Sequence, residues 1–120
     1  EMQNQLCNLV LSGRKRATAS LAMWYGPDGQ SMPNPGDLSI MLDGEGTPRG
    51  VIQTTEVCQG PFASVDARFA ADEGEGDGSL DYWKTEHQRY FTSELSKDSI
   101  PFSETIQVVF ERFILVWSPS

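Results

Sequence analysis

The 120-residue sequence contains two cysteines, Cys7 and Cys58, and one histidine, His87. Two cysteines with no Cys-x-x-Cys pair cannot build a disulfide framework, so free, buried thiols in a reducing cytoplasm are expected. One histidine beside two distant cysteines falls short of the ligand set of a structural zinc site, and no metal or other cofactor is expected. Positive charge is scarce: 9 Lys and Arg stand against 17 Asp and Glu, a net charge of -8. Proteins that grip long nucleic acid set cations on phosphates. The acidic balance therefore argues against non-specific RNA or DNA binding and leaves room for a small neutral ligand. No apolar run approaches the ~20 residues that span a bilayer, so no membrane association is expected. No signal peptide is visible, although a sequence opening on Glu1 gives that little weight. Repeats, low-complexity tracts and linkers are also missing, which predicts a single domain over residues 1–120.

The remaining pattern predicts alternating short elements. Leu6, Leu9 and Val10 have helical spacing within about Met2 to Ser12. Gly13 is a fitting C′ stop, with cations after it at the negative helix end. Thr18 to Met23 reads as a strand, followed by a turn over residues 24–29 with Trp24 and Tyr25 at its mouth. Leu38 to Leu42 and Gly50 to Cys58 read as a hairpin around residues 43–49. A short helix is predicted over Asp66 to Asp72, and a long one over Ser79 to Leu95, with Ser79 as N-cap. Leu80, Trp83, His87, Tyr90, Phe91 and Leu95 form its apolar stripe. Thr105 to Trp117, rich in Ile, Val and Phe, is the longest strand candidate. Glu111 and Arg112 should face opposite sides of it. The class is α+β with a small curved or closed sheet.

Two motifs carry chemistry. Gly13-Arg14-Lys15-Arg16-Ala17-Thr18 sets an amine three residues before a hydroxyl. Glu73-Gly74-Glu75-Gly76-Asp77 sets carboxylates on a glycine-rich turn. A threonine hydroxyl needs an adjacent base, and a lysine is one only when burial or nearby cations free it of its proton. Arg14 and Arg16 favour that; a nearby Glu73 opposes it. The plain alternative is a solvated helix end and a hydrated acidic turn. The acidic turn does not have EF-hand spacing, which argues against a hard-metal site. Trp24 and Tyr25 are candidates for a pocket wall that stacks on a base, whereas Trp83 on its helical stripe is a candidate for the core. His87 is expected to make a hydrogen bond in the core or at a cleft edge.

The ordered set of motifs resembles the ASCH-domain family. It comprises the Gly-x-Lys-x-x-Thr signature at Gly13, Lys15 and Thr18, then Pro35-Gly36-Asp37 and Val51-Ile52-Gln53-Thr54-Thr55-Glu56-Val57. Pro61-Phe62, Phe69-Ala70, the acidic turn, Ser79-Leu80 with Tyr82-Trp83, His87, and Val108 to Phe113 complete it. The resemblance implies a PUA-like β-barrel of about five to six strands flanked by two or three helices. It also implies a cleft lined by the signature lysine. ASCH domains are proposed to bind RNA or its components, and some bacterial members are amidohydrolases of N4-acetylcytidine; ribonuclease activity is reported for others. In the amidohydrolase type a lysine, a threonine and a glutamate carry catalysis, which map to Lys15, Thr18 and Glu73, with Glu75 a close competitor for the last. Those members have an arginine soon after the threonine, where this sequence reads Ala19-Ser20-Leu21.

Two functions follow as expectations. One is an amidohydrolase acting on an acylated cytidine or similar amide, with Lys15 as base, Thr18 as nucleophile and Glu73 orienting substrate or donating a proton. Arg14, Arg16, Trp24, Tyr25 and Glu75 would contact the ligand. The other is a non-catalytic module holding a nucleoside or a base of single-stranded RNA in the same cleft. A ribonuclease is disfavoured by acidity and by the lack of a histidine pair. The expected location is cytoplasmic, and the oligomeric state is open, a homodimer included.

Overall fold

The computed structural model describes residues 2–26 and 29–119, without the side chains of residues 2 and 3. The expected turn therefore lies partly outside the described residues, at positions 27 and 28. Helix α1 spans Met2–Leu11 and leads into strand β1, Ala17–Leu21. A 3₁₀ turn, Ala22–Trp24, ends β1 two residues earlier than the sequence pattern predicts. Strands β2, Leu38–Leu42, and β3, Pro48–Pro61, form the hairpin. A second 3₁₀ turn leads to helix α2, Ala67–Glu73, then α3, Leu80–Ser96, and finally strand β4, Gln107–Trp117.

The four strands form one antiparallel sheet in the order β1-β4-β3-β2. The sheet curls into a half-barrel, and the three helices complete a mixed α+β fold. Among the described residues, four strands stand where about five to six were expected. The difference lies in β3, which runs 14 residues unbroken. Its pairing with β4 slips at Val51/Ile52 and again at Thr54/Glu56. Such irregularities bend a strand and increase its twist, so one long strand does the curling of two shorter ones.

Both later helices start on side-chain caps. The Asp66 carboxylate accepts from the Phe69 N–H, and the Ser79 hydroxyl from the Tyr82 N–H. Each satisfies an otherwise orphaned donor of the first turn. Trp83, Phe91 and Leu95 of the α3 stripe are buried, whereas Tyr90 at the stripe's edge is exposed. They pack with Phe62, Phe69, Ala70, Ala17, Leu21 and Val108 into one core between α2/α3 and the sheet. Within β1, Ala17, Ala19 and Leu21 face this core, so Thr18 and Ser20 face the other side. Both cysteines are free; Cys7 is buried and Cys58, expected to be buried, is exposed on β3. No helix among the described residues is long and apolar enough to cross a membrane.

Candidate functional site

The Gly13–Ala17 segment is strapped down at both ends. The N–H groups of Arg14 and Lys15 both donate to the Leu9 carbonyl of α1, at 3.0 Å each. The Arg16 N–H donates to the Asp72 carbonyl of α2 at 2.6 Å, and the Arg16 carbonyl accepts from the Phe113 N–H of β4 at 3.0 Å. Lys15 is held between a helix end, a second helix end and the sheet, and only 8% of its surface is exposed. Its Nζ donates to the Ala17 carbonyl and to Glu75 Oε2, both at 3.0 Å, and lies 3.9 Å from Glu73 Oε2. The lysine therefore stands at the end of edge strand β1, against the acidic turn.

Gly74 makes that approach possible. It ends α2 in the left-handed region, at φ 71°, with its N–H on the Ala70 carbonyl. A Cβ there would run into the Arg14 carbonyl. Only a glycine supplies both the positive φ and the close passage of two backbones. Arg14 closes the contact from its side, donating from Nη2 to the Gly76 carbonyl at 2.8 Å.

Glu73 is 1% exposed and lies close to Lys15 and His87. Its Oε2 lies 3.9 Å from Lys15 Nζ and 3.0 Å from His87 Nε2, the latter without hydrogen-bond alignment. Burial opposes ionisation of this carboxyl, but His87 and then Lys15 outweigh it and hold the group below the ordinary carboxylate range. His87 Nδ1 is 3.0 Å from the Trp83 carbonyl, and its ring stacks on the Trp83 ring at 4.0 Å and 11°. Among the described residues, the buried side-chain polar atoms with no hydrogen-bond partner are both Glu73 oxygens and Trp83 Nε1. Native interiors rarely tolerate such atoms, and all three lie around His87.

Lys15, Glu73, Glu75 and Arg14 thus come together, as does His87, whose partner was not legible in the sequence. The other candidates lie elsewhere. Thr18 pairs with Glu111 across β1 and β4, and its hydroxyl makes no hydrogen bond to Lys15. On that face the Thr54 hydroxyl donates to Glu111 Oε2 at 2.7 Å, and the Ser20 and Tyr25 hydroxyls share a 2.6 Å hydrogen bond. Tyr25 is therefore on the Thr18 side of the sheet. Trp24 packs edge-on against Tyr90 and Phe91, beside a shallow groove lined also by Gly29, Gln30 and Glu94. None of Lys15, Glu73 or Glu75 lines that groove. Arg16 pairs with Asp72 at 3.1 Å, in a network where Arg112 bridges Asp72 and Glu56 over the Phe69 ring. No group of three His, Cys, Asp or Glu side chains among the described residues is placed to hold a metal ion.

The comparisons with known proteins agree with this architecture. The crystal structure of an ASCH domain from Lactobacillus crispatus superposes with a TM-score of 0.88 at 38% identity, over 94% of this chain and 71% of that one. A crystal structure of a protein from Enterococcus faecalis gives 0.83, also at 38% identity, over 94% of this chain and 68% of that one. No curated protein matches the chain. The family profile of the ASCH domain matches residues 1–117. With its curled sheet, its helices and its lysine signature at the edge of β1, the chain belongs to the ASCH-domain family and has a PUA-like fold.

Proposed function

We propose that the chain binds a nucleoside-type ligand at the edge of β1, between Lys15 and the acidic turn, and hydrolyses an acyl amide on it, as in N4-acetylcytidine. The observation that carries this reading is the buried Glu73 carboxylate close to Lys15 and His87. Desolvating a carboxylate costs several kcal/mol, roughly, and such charges recur where chemistry uses them. Glu73 is too enclosed to be the outer contact. It anchors Lys15 from behind, while Glu75, with 35% of its side chain exposed, is the carboxylate a ligand displaces.

In this scheme Lys15 takes the Thr18 proton as Thr18 attacks the acyl carbon; the C–N bond breaks, Lys15 returns that proton to the leaving cytidine amine, and water then cleaves the acyl-threonine ester to release the carboxylic acid. Freed of Glu75, Lys15 passes a proton outward before it acts as base. The Thr18 hydroxyl and the amine come into line in the substrate complex, as catalytic contacts often tighten only there. Arg14, held on the Gly76 carbonyl, forms the basic rim, and Arg16 joins it only by leaving Asp72. Tyr25 lies on the Thr18 side, and Trp24 lies farther along, where a longer ligand reaches it. The free thiols of Cys7 and Cys58 support a cytoplasmic location. The test is release of cytidine from N4-acetylcytidine, with Lys15→Ala and Thr18→Ala as controls. Turnover lost in both variants is the expected result; no turnover by the native protein at high concentration removes that substrate.

One observation favours a second reading. The Lys15–Thr18 hydrogen bond of a ready nucleophile is missing. A non-catalytic module that holds a base of single-stranded RNA needs no such bond. A salt titration of RNA binding separates the two, because a module on an RNA strand also contacts phosphates and shows a steep salt dependence, whereas a nucleoside pocket does not.

A further inference from the structure

We propose that the part of the sheet face left bare by α2 and α3 is a self-association surface, on which a second copy of this chain packs face to face. The strand register defines that face. Leu38 of β2 pairs with Gln53 of β3, and Gln53 with Ile114 of β4. Ile40 pairs with Val51, and Val51 with Trp117. Paired residues point to the same side of a sheet, so these two rows share a face. Their neighbours in sequence point the other way: the open side of Gly50 meets Leu115 and Met41.

This face continues the one that the helices cover. Two residues before Ile114 on β4, Arg112 still lies over the Phe69 ring of α2. Beyond it the cover stops, and Leu38, Ile40, Ile114 and Trp117 are between 49% and 66% exposed. With Val116 at the bulge beside them, they leave roughly 500 Å² bare, near the top of the range for the largest apolar patch of a soluble monomer.

Area and charge select the occupant. Two such patches in contact bury about 1,000 Å², the threshold of a specific interface, before any rim is counted. A chain of net charge -8 repels its copies, so a contact between them needs a face whose charges are absent or paired. No charged residue stands in the two rows. On the α2 side Arg112 binds Glu56 at 3.1 Å, and at the hairpin Arg49 lies 3.6 Å from Asp43. The free edge of β2 is less suited. Antiparallel pairing about Ile40 would set Asp37 of one copy against Asp43 of the other, and like charges in that position repel. Helix α1 also reaches this strand already, where the Cys7 thiol donates to the Leu42 carbonyl. The contact therefore stacks two sheets on their apolar rows.

The test is sedimentation velocity of the native chain from about 1 to 200 μM, the range in which a small interface dissociates, with tryptophan emission followed alongside. The native protein is expected to pass from monomer to dimer, and its emission to move to shorter wavelength as Trp117 leaves water. Ile40→Lys and Leu38→Lys set an unpaired charge in the face and are expected to stay monomeric throughout. Both side chains are exposed in the monomer, so the variants should keep the native far-UV spectrum and urea midpoint. Thr92→Lys makes the same charge change on an exposed position of α3 and is expected to dimerise like the native protein. A native protein that is still monomeric at the highest concentration overturns the proposal and leaves the face to a different occupant. Dimers that survive both lysine variants in the face, or that form without a shift in emission, place the contact elsewhere and overturn it as well.

Discussion

Replacing Gly74 with alanine tests whether the acidic turn is held against the lysine segment by a backbone contact. Two costs add. Gly74 has φ 71°, and an alanine in the left-handed region costs about 1–2 kcal/mol. Its Cβ would also overlap the Arg14 carbonyl and lie 3.2 Å from the Lys15 Cα, both backbone atoms that cannot rotate away. Forcing a methyl into such a contact costs about 1–3 kcal/mol more. The sum is about 2–5 kcal/mol. Gly13→Ala is the control, since Gly13 has φ 80° with open space around it. It should cost the conformational part alone, about 1–2 kcal/mol. Urea unfolding reads both. With a slope near ~2 kcal/mol per molar urea, the Gly74→Ala midpoint should fall by about 1–2.5 M and the Gly13→Ala midpoint by about 0.5–1 M. Equal midpoints would refute the reasoning, because they would mean the two backbones do not touch at Gly74.

Acid sensitivity should trace to Glu73. Its folded-state carboxyl lies below its ordinary value of 4.5, so its contribution is fully present above that pH and is lost as pH falls through the folded value. Glu73→Gln should be less stable than the native protein at neutral pH, because Lys15 keeps Glu75 but loses the buried carboxylate that its charge helps hold ionised. The gap between the two proteins should narrow below about pH 4.5 in denaturant titrations; a constant gap would contradict the assignment. Asp43 and Asp77 titrate in both proteins and cancel in that comparison. The two thiols should also separate. Cys7 is buried, its thiol donates to the Leu42 carbonyl, and burial pushes its pKa up, whereas Cys58 is exposed. A thiol reagent should modify one cysteine in the folded protein and two in urea, and fast labelling of Cys7 in the fold would count against the packing of α1.

The elements that local chemistry dictates were legible. Ser79 capped α3, the short helix α2 began within a residue of its expected start at Asp66, and the α3 stripe put Trp83, Phe91 and Leu95 in the core. Strand alternation separated Glu111, on Thr54, from Arg112, on Asp72. What depended on distant partners was not legible. The register shifts that let β3 run to Pro61 are set by its pairing with β4, and no local signal shows them. The early end of β1 turns Trp24 toward Tyr90, away from the lysine. The meeting of Lys15 with the acidic turn rested on family resemblance, because residues 60 positions apart meet only through the fold. His87 stood out as the only histidine, but its carboxylate partner comes from another helix.

Where the ligand sits is the central claim. Cytidine titrated into nitrogen-15-labelled protein tests it most directly, through the backbone amide signals that move. They are predicted to cluster at residues 14–20, 73–77 and around His87. Shifts confined to the groove of Trp24, Tyr90 and Glu94, with the Lys15 and acidic-turn amides unmoved, would contradict it.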